Sequence, residues 1–364
     1  MKRCNKCLMA DTKPGVVLDE EGVCQACRHY EQRKNIDYAQ RRKLFEKICE
    51  KHHRNTAYDC IIPVSGGKDS HYQVHFVKNL FKMNPLLVTV GDPFTKTEAG
   101  KKNFANISEQ FGCDVVQLHL NRKVTRQMIR IAFEEFGSPT WPIDRAIYCF
   151  PIRLSIQMNI PLVIYGENVN YEYGGIQTTE VYSAKEQINN DVAKSFAKDW
   201  WLAKGVKERD FNQFVYPVGD TNPIYLSYFV PWDGYANYSA AQAMGFTDLT
   251  DEWKRDGYIE SYDQIDSVGY LINVWLKYPK FGFARATDVV GYWIRSGRID
   301  KEKGAALIRE HDHKLDERIL QDFLSFTGYT KGQFFDIVER FWNTDIFEKT
   351  TDGWKLKKEA EINV

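Results

Sequence analysis

The sequence predicts an α/β protein built on a doubly wound parallel sheet, with a small cysteine-held module in front and a mostly helical region behind. Three observations carry this. From Tyr58 onward, short runs that are apolar or β-branched throughout alternate with stretches of helical periodicity, the pattern of strands buried on both faces. The first such run leads directly into the turn Ser65-Gly66-Gly67-Lys68-Asp69-Ser70, and that turn leads into a helical pattern. Near the N-terminus, four of the eight cysteines fall into two Cys-x2-Cys pairs.

The elements follow in order. Residues 58–64 read as a buried strand and 71–83 as a helix. Residues 85–90 form a second strand, Leu86-Leu87-Val88-Thr89-Val90 being apolar or β-branched without a break. A helix over 97–111 takes Thr97 or a neighbour as its cap. A third strand spans 114–120, and a helix over 123–136 ends at Gly137. Residues 141–158 are helical with an interruption near Phe150-Pro151, and 161–165 form a fourth strand. In an open parallel sheet, ligands sit at the carboxyl ends of the strands. The turn after strand one, Gly91-Asp92 after strand two and Gly166-Glu167-Asn168 after strand four should therefore converge on one crevice. From about Asp220 the character changes. Helical patterns over 261–278, 286–296, 301–312, 317–326 and 331–342 suggest a cap packed on that crevice. The expected units are 1–30, a cysteine module; 31–56, a linking helix; 57–220, the α/β domain; and 221–364, the helical region.

Composition narrows the class. The chain has 364 residues and a formal net charge of zero, which supplies no general attraction to nucleic acid or to an acidic membrane. The start, Met1-Lys2-Arg3-Cys4, has no apolar signal region, and no run approaches a membrane span. A cytoplasmic protein is expected. In that reducing setting, paired cysteines indicate metal rather than disulfides. Cys4, Cys7, Cys24 and Cys27 complete a tetrahedral four-thiolate site of zinc-ribbon type, and four protein ligands leave no open position, so the metal is structural. An iron–sulfur cluster and a redox dithiol are the alternatives. In the segment 28–54, Tyr38, Leu44, Phe45 and Ile48 have helical spacing, and its many Lys and Arg residues read as a solvated face.

The turn after strand one carries the chemistry. Two adjacent glycines let backbone N–H groups face inward, and a following helix start favours negative charge. The spacing is not that of a Walker A loop. It resembles the PP-loop of the ATP pyrophosphatases, which cleave ATP to AMP and pyrophosphate. Five fixed positions recur by accident in roughly one chain of this length in 1,000. His52-His53 and His311-x-His313 lack acidic partners at metal spacing and read as solvated.

Four features occur in one order: Cys4-x2-Cys7-Leu8-Met9-x-Asp11-Thr12-Lys13-Pro14-Gly15 with its second cysteine pair, the PP-loop, Tyr165-Gly166-Glu167-Asn168, and Lys280-Phe281-Gly282-Phe283-Ala284-Arg285-Ala286-Thr287-Asp288. Together they resemble the N-acetyl sugar amidotransferases of bacterial lipopolysaccharide O-antigen and nonulosonic-acid pathways. The resemblance implies an adenine-nucleotide α-hydrolase fold. It also implies conversion of a sugar acetamido group to an acetamidino group: ATP adenylates the amide oxygen, and ammonia displaces AMP. In that reading, Ser65, Gly66, Gly67, Lys68, Asp69 and Ser70 hold the departing pyrophosphate, with Lys68 neutralising its charge and Asp69 holding Mg2+. Val90, Gly91 and Asp92 contact adenosine. Gly166, Glu167 and Asn168 lie where nucleotide and sugar meet, Glu167 binding Mg2+ or taking a proton from ammonia. Helix capping is the plainer role for the Glu-Asn pair. Arg285 and Lys280 are candidates for phosphate, and Tyr171, Tyr173, Arg145 and Arg153 for the sugar and a carboxylate.

No glutaminase nucleophile is visible, and Cys149 lacks the flanking glycines of a nucleophile elbow, so it reads as a core thiol. Ammonia is therefore expected from a separate glutaminase, with a cyclase-like channel subunit as a candidate intermediary. The resemblance implies a nucleotide-linked or nonulosonic acetamido sugar as substrate. The rival enzyme class is a tRNA-thiolating PP-loop enzyme. Against it, Cys60, Cys113 and Cys149 are isolated in sequence. A non-catalytic nucleotide-binding regulator is the other rival, opposed by the intact Lys68 and Asp69.

Overall fold

A computed structural model describes residues 1–53, 57–169, 172, 181–185 and 197–362. Its centre is a five-stranded, all-parallel sheet in the order β3-β2-β1-β4-β5, formed by β1 (Cys60–Pro63), β2 (Pro85–Gly91), β3 (Val115–His119), β4 (Leu162–Tyr165) and β5 (Asn222–Tyr225). The chain steps outward from β1 to β3, then returns to the other side of β1. The switch point lies between β1 and β4, where ligands of such sheets bind. Side chains alternate between two buried layers. Ile62, Leu87 and Ile164 pack on one face, and Ile61, Val88 and Val163 on the other. This is why the strands read as continuous apolar runs.

Several local expectations hold. Thr97 caps the helix Glu98–Phe111 by accepting the Gly100 N–H. The helix Arg122–Phe136 starts at Asn121 and ends on Gly137, whose φ of 58° suits glycine. The helix after the PP-loop begins at Lys68, earlier than expected. It runs as an α-helix over Lys68–Val74 and as a π-turn over His75–Leu80.

Others are corrected. Pro151 does not interrupt its helix, which is continuous over Trp141–Gln157, and Cys149, Pro151 and Ile152 are all buried there. Packing outweighs the missing backbone hydrogen bond. The segment 31–56 is more than a linker. A helix over Tyr38–His52, capped by Asp37, buries Phe45 fully against Phe81 and Phe229, with ring centroids 4.8 and 5.1 Å away. His52 is buried rather than solvated, and exposed His53 pairs with Asp59 at 3.1 Å. β5 lies beyond the expected boundary at 220, so the sheet extends into what was read as the helical region. It is a four-residue edge strand containing Pro223, too short to show a period and tolerant of proline only because of its edge position. A hairpin over Phe347–Thr350 and Gly353–Leu356 was likewise not foreseen. Residues 261–268 are a loop rather than the start of a helix, and only short helical pieces follow, Ile272–Trp275 and Lys277–Phe281. Ser261, Asp263, Asp266 and Ser267 favour turns over helix. The remaining helices, Arg285–Arg295, Lys301–His311, Glu317–Thr327 and Lys331–Val338, fall close to expectation. Among the described residues, no helix is long and apolar enough to cross a membrane.

Candidate active site

The PP-loop is shaped by its own side chains. Gly66 has φ +85°, and a Cβ there would stand 3.0 Å from the Phe104 backbone, so only glycine fits. The Ser70 hydroxyl accepts the Ser65 N–H at 3.1 Å, and the Ser65 hydroxyl accepts the Gly67 N–H at 3.2 Å. Two of the N–H groups expected to cradle phosphate therefore shape the turn instead. The helix begins at Lys68, so its first-turn N–H groups lack acceptors within the helix.

Above this turn opens a crevice of about 510 Å³, within the usual range for a small-molecule site of ~300–1,000 Å³. It brings together Ser65, Gly67, Lys68, Asp69, Ser70, Val90, Gly91, Asp92, Gly166, Glu167 and Arg285. Of the expected residues, Gly66 underlies the turn. Asn168 is buried, its backbone N–H donating to the Ser227 hydroxyl at 3.1 Å, and it does not line the crevice.

Lys68 is buried between two carboxylates, pairing with Asp69 and, at 2.7 Å, with Asp263. Burial alone would lower its pKa; Asp263 and Asp69 more than offset this and hold it well above the ordinary lysine value. Asp69 also accepts the Asn237 side-chain N–H at 2.8 Å. Asp263 in turn accepts Arg285 at 2.8 Å, and Glu260 stands 3.7 Å from the same guanidinium. Arg285 thus faces the crevice but is tied to acidic partners. Glu167 has its pKa pushed up to about 8 by burial and by Asp69, partly offset by Lys68. Asp92, expected on adenosine, instead holds a loop together. It accepts the Phe94 N–H at 3.0 Å and the Ser267 hydroxyl at 2.9 Å and pairs with Lys96.

The crevice wall over 262–267 was not foreseen as part of the site. Asp263 and the rings of Tyr148, Tyr165, Tyr225 and Tyr262 line the crevice from distant positions, and Asn237 reaches it through Asp69. No local motif marks them, although the acidic pair Asp263-x2-Asp266 inside an apparent helix was a usable warning. Other candidates point elsewhere. Arg145 donates to the Phe214 carbonyl at 2.8 Å, and Arg153 to the carbonyls of Asn212, Gln213 and Val215, so both brace one turn. Lys280 pins the Gly137 carbonyl at 2.6 Å. Tyr171 and Tyr173 lie outside the described residues. Cys149 is fully buried, bonded to the Phe214 carbonyl at 3.4 Å, and burial pushes its thiol up to about 11. It is an unreactive core thiol, as expected.

At the N-terminus the four cysteines converge. Their sulfurs all lie within 4.8 Å of one another, Cys4 to Cys27 at 3.8 Å and Cys7 to Cys24 at 3.5 Å. A tetrahedral metal with sulfur ligands at ~2.3 Å needs sulfurs roughly 3.8 Å apart, so the set fits a four-thiolate metal and is far too open for disulfides. The Cys24 N–H donates to the Cys4 sulfur at 3.3 Å, which favours the thiolate. The module docks on the 281–295 segment. Arg3 bonds the Thr287 hydroxyl and the Gly282 carbonyl, each at 3.3 Å, and the Thr12 hydroxyl donates to the Phe281 carbonyl at 2.5 Å.

Fold and site define a doubly wound α/β protein whose crevice opens over a Ser-Gly-Gly-Lys-Asp-Ser turn at the sheet's switch point. Residues 250–361 match the family model described as LPS biosynthesis protein WbpG-like, C-terminal domain. The match covers about a third of the chain and agrees with the family suspected from the motifs. The match covers the wall residues Asp263 and Arg285. An uncharacterized protein of Methanocaldococcus jannaschii, MJ1599, is 29% identical over 120 residues, which are 33% of this chain and 42% of that protein. The chain thus spans less than half the length of that curated relative. Among solved structures, the U34-tRNA thiolase NcsA of Methanococcus maripaludis is 13% identical, with a TM-score of 0.32 over 92% of this chain and 95% of that one. The NH3-dependent NAD synthetase of Campylobacter jejuni is 14% identical, with a TM-score of 0.32 over 81% and 98%. Neither structural likeness carries weight for function.

Proposed function

We propose that this protein is an ATP-dependent amidotransferase that converts a sugar acetamido group to an acetamidino group in bacterial surface-polysaccharide or nonulosonic-acid biosynthesis. One observation carries the reading. The crevice joins the Ser65–Ser70 turn to a wall contributed by the WbpG-like segment through the contacts Lys68–Asp263–Arg285. The substrate amide oxygen attacks the α-phosphorus of ATP, the bond to pyrophosphate breaks, and an O-adenyl imidate forms. Ammonia then adds to the imidate carbon, and AMP leaves with the former amide oxygen. The activated carbon is open to water, so a walled crevice matters. Lys68, kept positive by its acidic neighbours, faces the charge that builds on the pyrophosphate. Asp69, at the crevice, suits a hard divalent cation, and Mg2+ there would supply further charge neutralisation. Zn2+ suits the four thiolates and would be structural.

Ammonia is supplied by a separate glutaminase in this proposal, since the described cysteines outside the metal group are all buried and Cys149 is unreactive. The same burial of Cys60, Cys113 and Cys149, none of which lines the crevice, weighs against sulfur transfer to tRNA. Incubation of purified protein with ATP, Mg2+, ammonium and candidate acetamido sugars, followed by mass spectrometry, tests the reading. A product lighter by about one mass unit, with stoichiometric AMP, is expected, because NH replaces oxygen. Tight, salt-sensitive tRNA binding with no sugar product would overturn it.

A further inference from the structure

A second, smaller cavity adjoins the crevice and shares Lys68, Glu167, Tyr262, Asp263 and Arg285 with it. Its volume is about 30 Å³, room for one or two water-sized molecules and too little for a sugar or a nucleotide. Its chemistry is unusual for so small a space. Four carboxylates line it, and three are already balanced: Asp263 by Lys68 and Arg285, Glu172 by Arg33, and Asp288 by Lys277. Glu167 makes no ion pair or hydrogen bond through its carboxyl group among the described residues. The rings of Trp232, Tyr235, Tyr262, Tyr292 and Trp293 form much of the remaining wall. Aromatic faces attract a small cation. The Trp232 indole N–H is buried without a partner, a sign that a polar occupant belongs nearby.

We propose that this cavity is the ammonium site of the enzyme, holding the nitrogen nucleophile beside the activated carbon. The inference rests on the amidation reading. Size excludes larger amines, the rings and the Glu167 carboxyl group suit a monovalent cation, and the shared residues open the cavity to the crevice. Ammonia entering the cavity takes the proton that burial keeps on the Glu167 carboxyl group, forming an ammonium–carboxylate pair; as ammonium returns that proton, the freed lone pair forms the C–N bond. The C–O bond to the adenylate then breaks, its electron pair departing with AMP, and the product is the amidinium.

Gly234 offers the test. It lines the cavity without positive φ, and a Cβ there would meet only the Lys68 side-chain end, at 3.6 and 3.8 Å. Gly234→Ala therefore narrows the cavity without strain, and Val289→Leu does so from the opposite helix if the first variant disturbs Lys68. Two readouts separate the layers. Sugar-dependent ATP–pyrophosphate exchange reports adenylation without ammonia. The KM for ammonium reports the cavity. The expected result is exchange within twofold of the unaltered protein and an ammonium KM raised at least tenfold. Unchanged exchange with an unchanged ammonium KM in both variants would overturn the cavity assignment alone. Absence of exchange in the unaltered protein with every acetamido sugar would overturn the amidation reading beneath it. Crystals of the unaltered protein soaked in rubidium chloride should show anomalous density in the cavity; a cavity empty of rubidium would overturn the assignment independently of activity.

Discussion

The cysteine module and the crevice are both sites, but they are assembled in opposite ways. The four cysteines lie within 24 residues of one another, and their sulfurs converge through two short turns. The crevice draws Lys68, Glu167, Asp263 and Arg285 from across the chain. A local site depends on its metal for folding, because so short a segment has little core of its own. A dispersed site depends on the whole fold, so single changes there should cost activity more than structure. The two are nonetheless joined. The module rests on the helix Arg285–Arg295, whose first residue holds Asp263, which holds Lys68.

The largest effect sharpens the contrast from the crevice side. Asp69→Ala should lower turnover by at least about 1,000-fold with an unchanged circular dichroism spectrum, since the ligand proposed to hold Mg2+ against the departing pyrophosphate is lost while a side chain 33% exposed leaves little void. Near-normal pyrophosphate release by this variant would refute the role given to Asp69.

From the other side, Cys24→Ser, or removal of metal by a chelator, should unfold residues 1–32 and expose their amides to exchange. Structural four-cysteine sites draw ~10 kcal/mol or more of folding energy from the ion. If the joint through Arg285 matters, turnover should fall roughly tenfold, about 1.4 kcal/mol, even though no cysteine lines the crevice. Unaltered turnover would break the link and leave the two sites independent.

A smaller effect concerns Asp263, which sequence patterns did not mark. Asp263→Asn keeps the shape but removes a negative charge from Lys68 and Arg285. Pyrophosphate exchange should fall by about threefold, and the KM for ATP should move less than the KM for the sugar, because Asp263 stands on the crevice wall over residues 262–267, outside the Ser65–Ser70 turn.

The smallest expected effect is a slope. The carboxyl of Glu167 keeps its proton to about pH 8 in the folded protein, whereas an unfolded glutamate loses it near 4.5. The native state therefore holds more protons between those limits, and its stability falls as pH rises through that window. Glu167→Gln should flatten the fall in melting temperature between pH 5 and 8. An identical slope in both proteins would show that other buried carboxyls, such as Asp144 at about 6, set it.

Elements with a local cause were legible. Thr97 and Gly137 mark helix ends through backbone geometry, and the strands on both sides of β1 were legible because burial on two faces leaves no polar phase. β5 was not, because four residues with a proline carry no period. The loop 261–268 read as helix because apolar spacing alone cannot register the turn preference of its Ser and Asp side chains.

By itself, then, the sequence determined the cysteine cluster, the Ser65–Ser70 turn and the parallel sheet that carries it, since each is written in neighbouring residues through spacing, glycine geometry or continuous burial. Only the tertiary structure decided that Asp263 and Arg285 stand over Lys68, that Asp92 holds a loop, that Arg145 and Arg153 face away, and that a small cavity lined by Glu167 lies beside the crevice. Those are pairings of charges and rings across long stretches of chain. Local pattern does not encode which residues will meet once the helical region has folded onto the sheet.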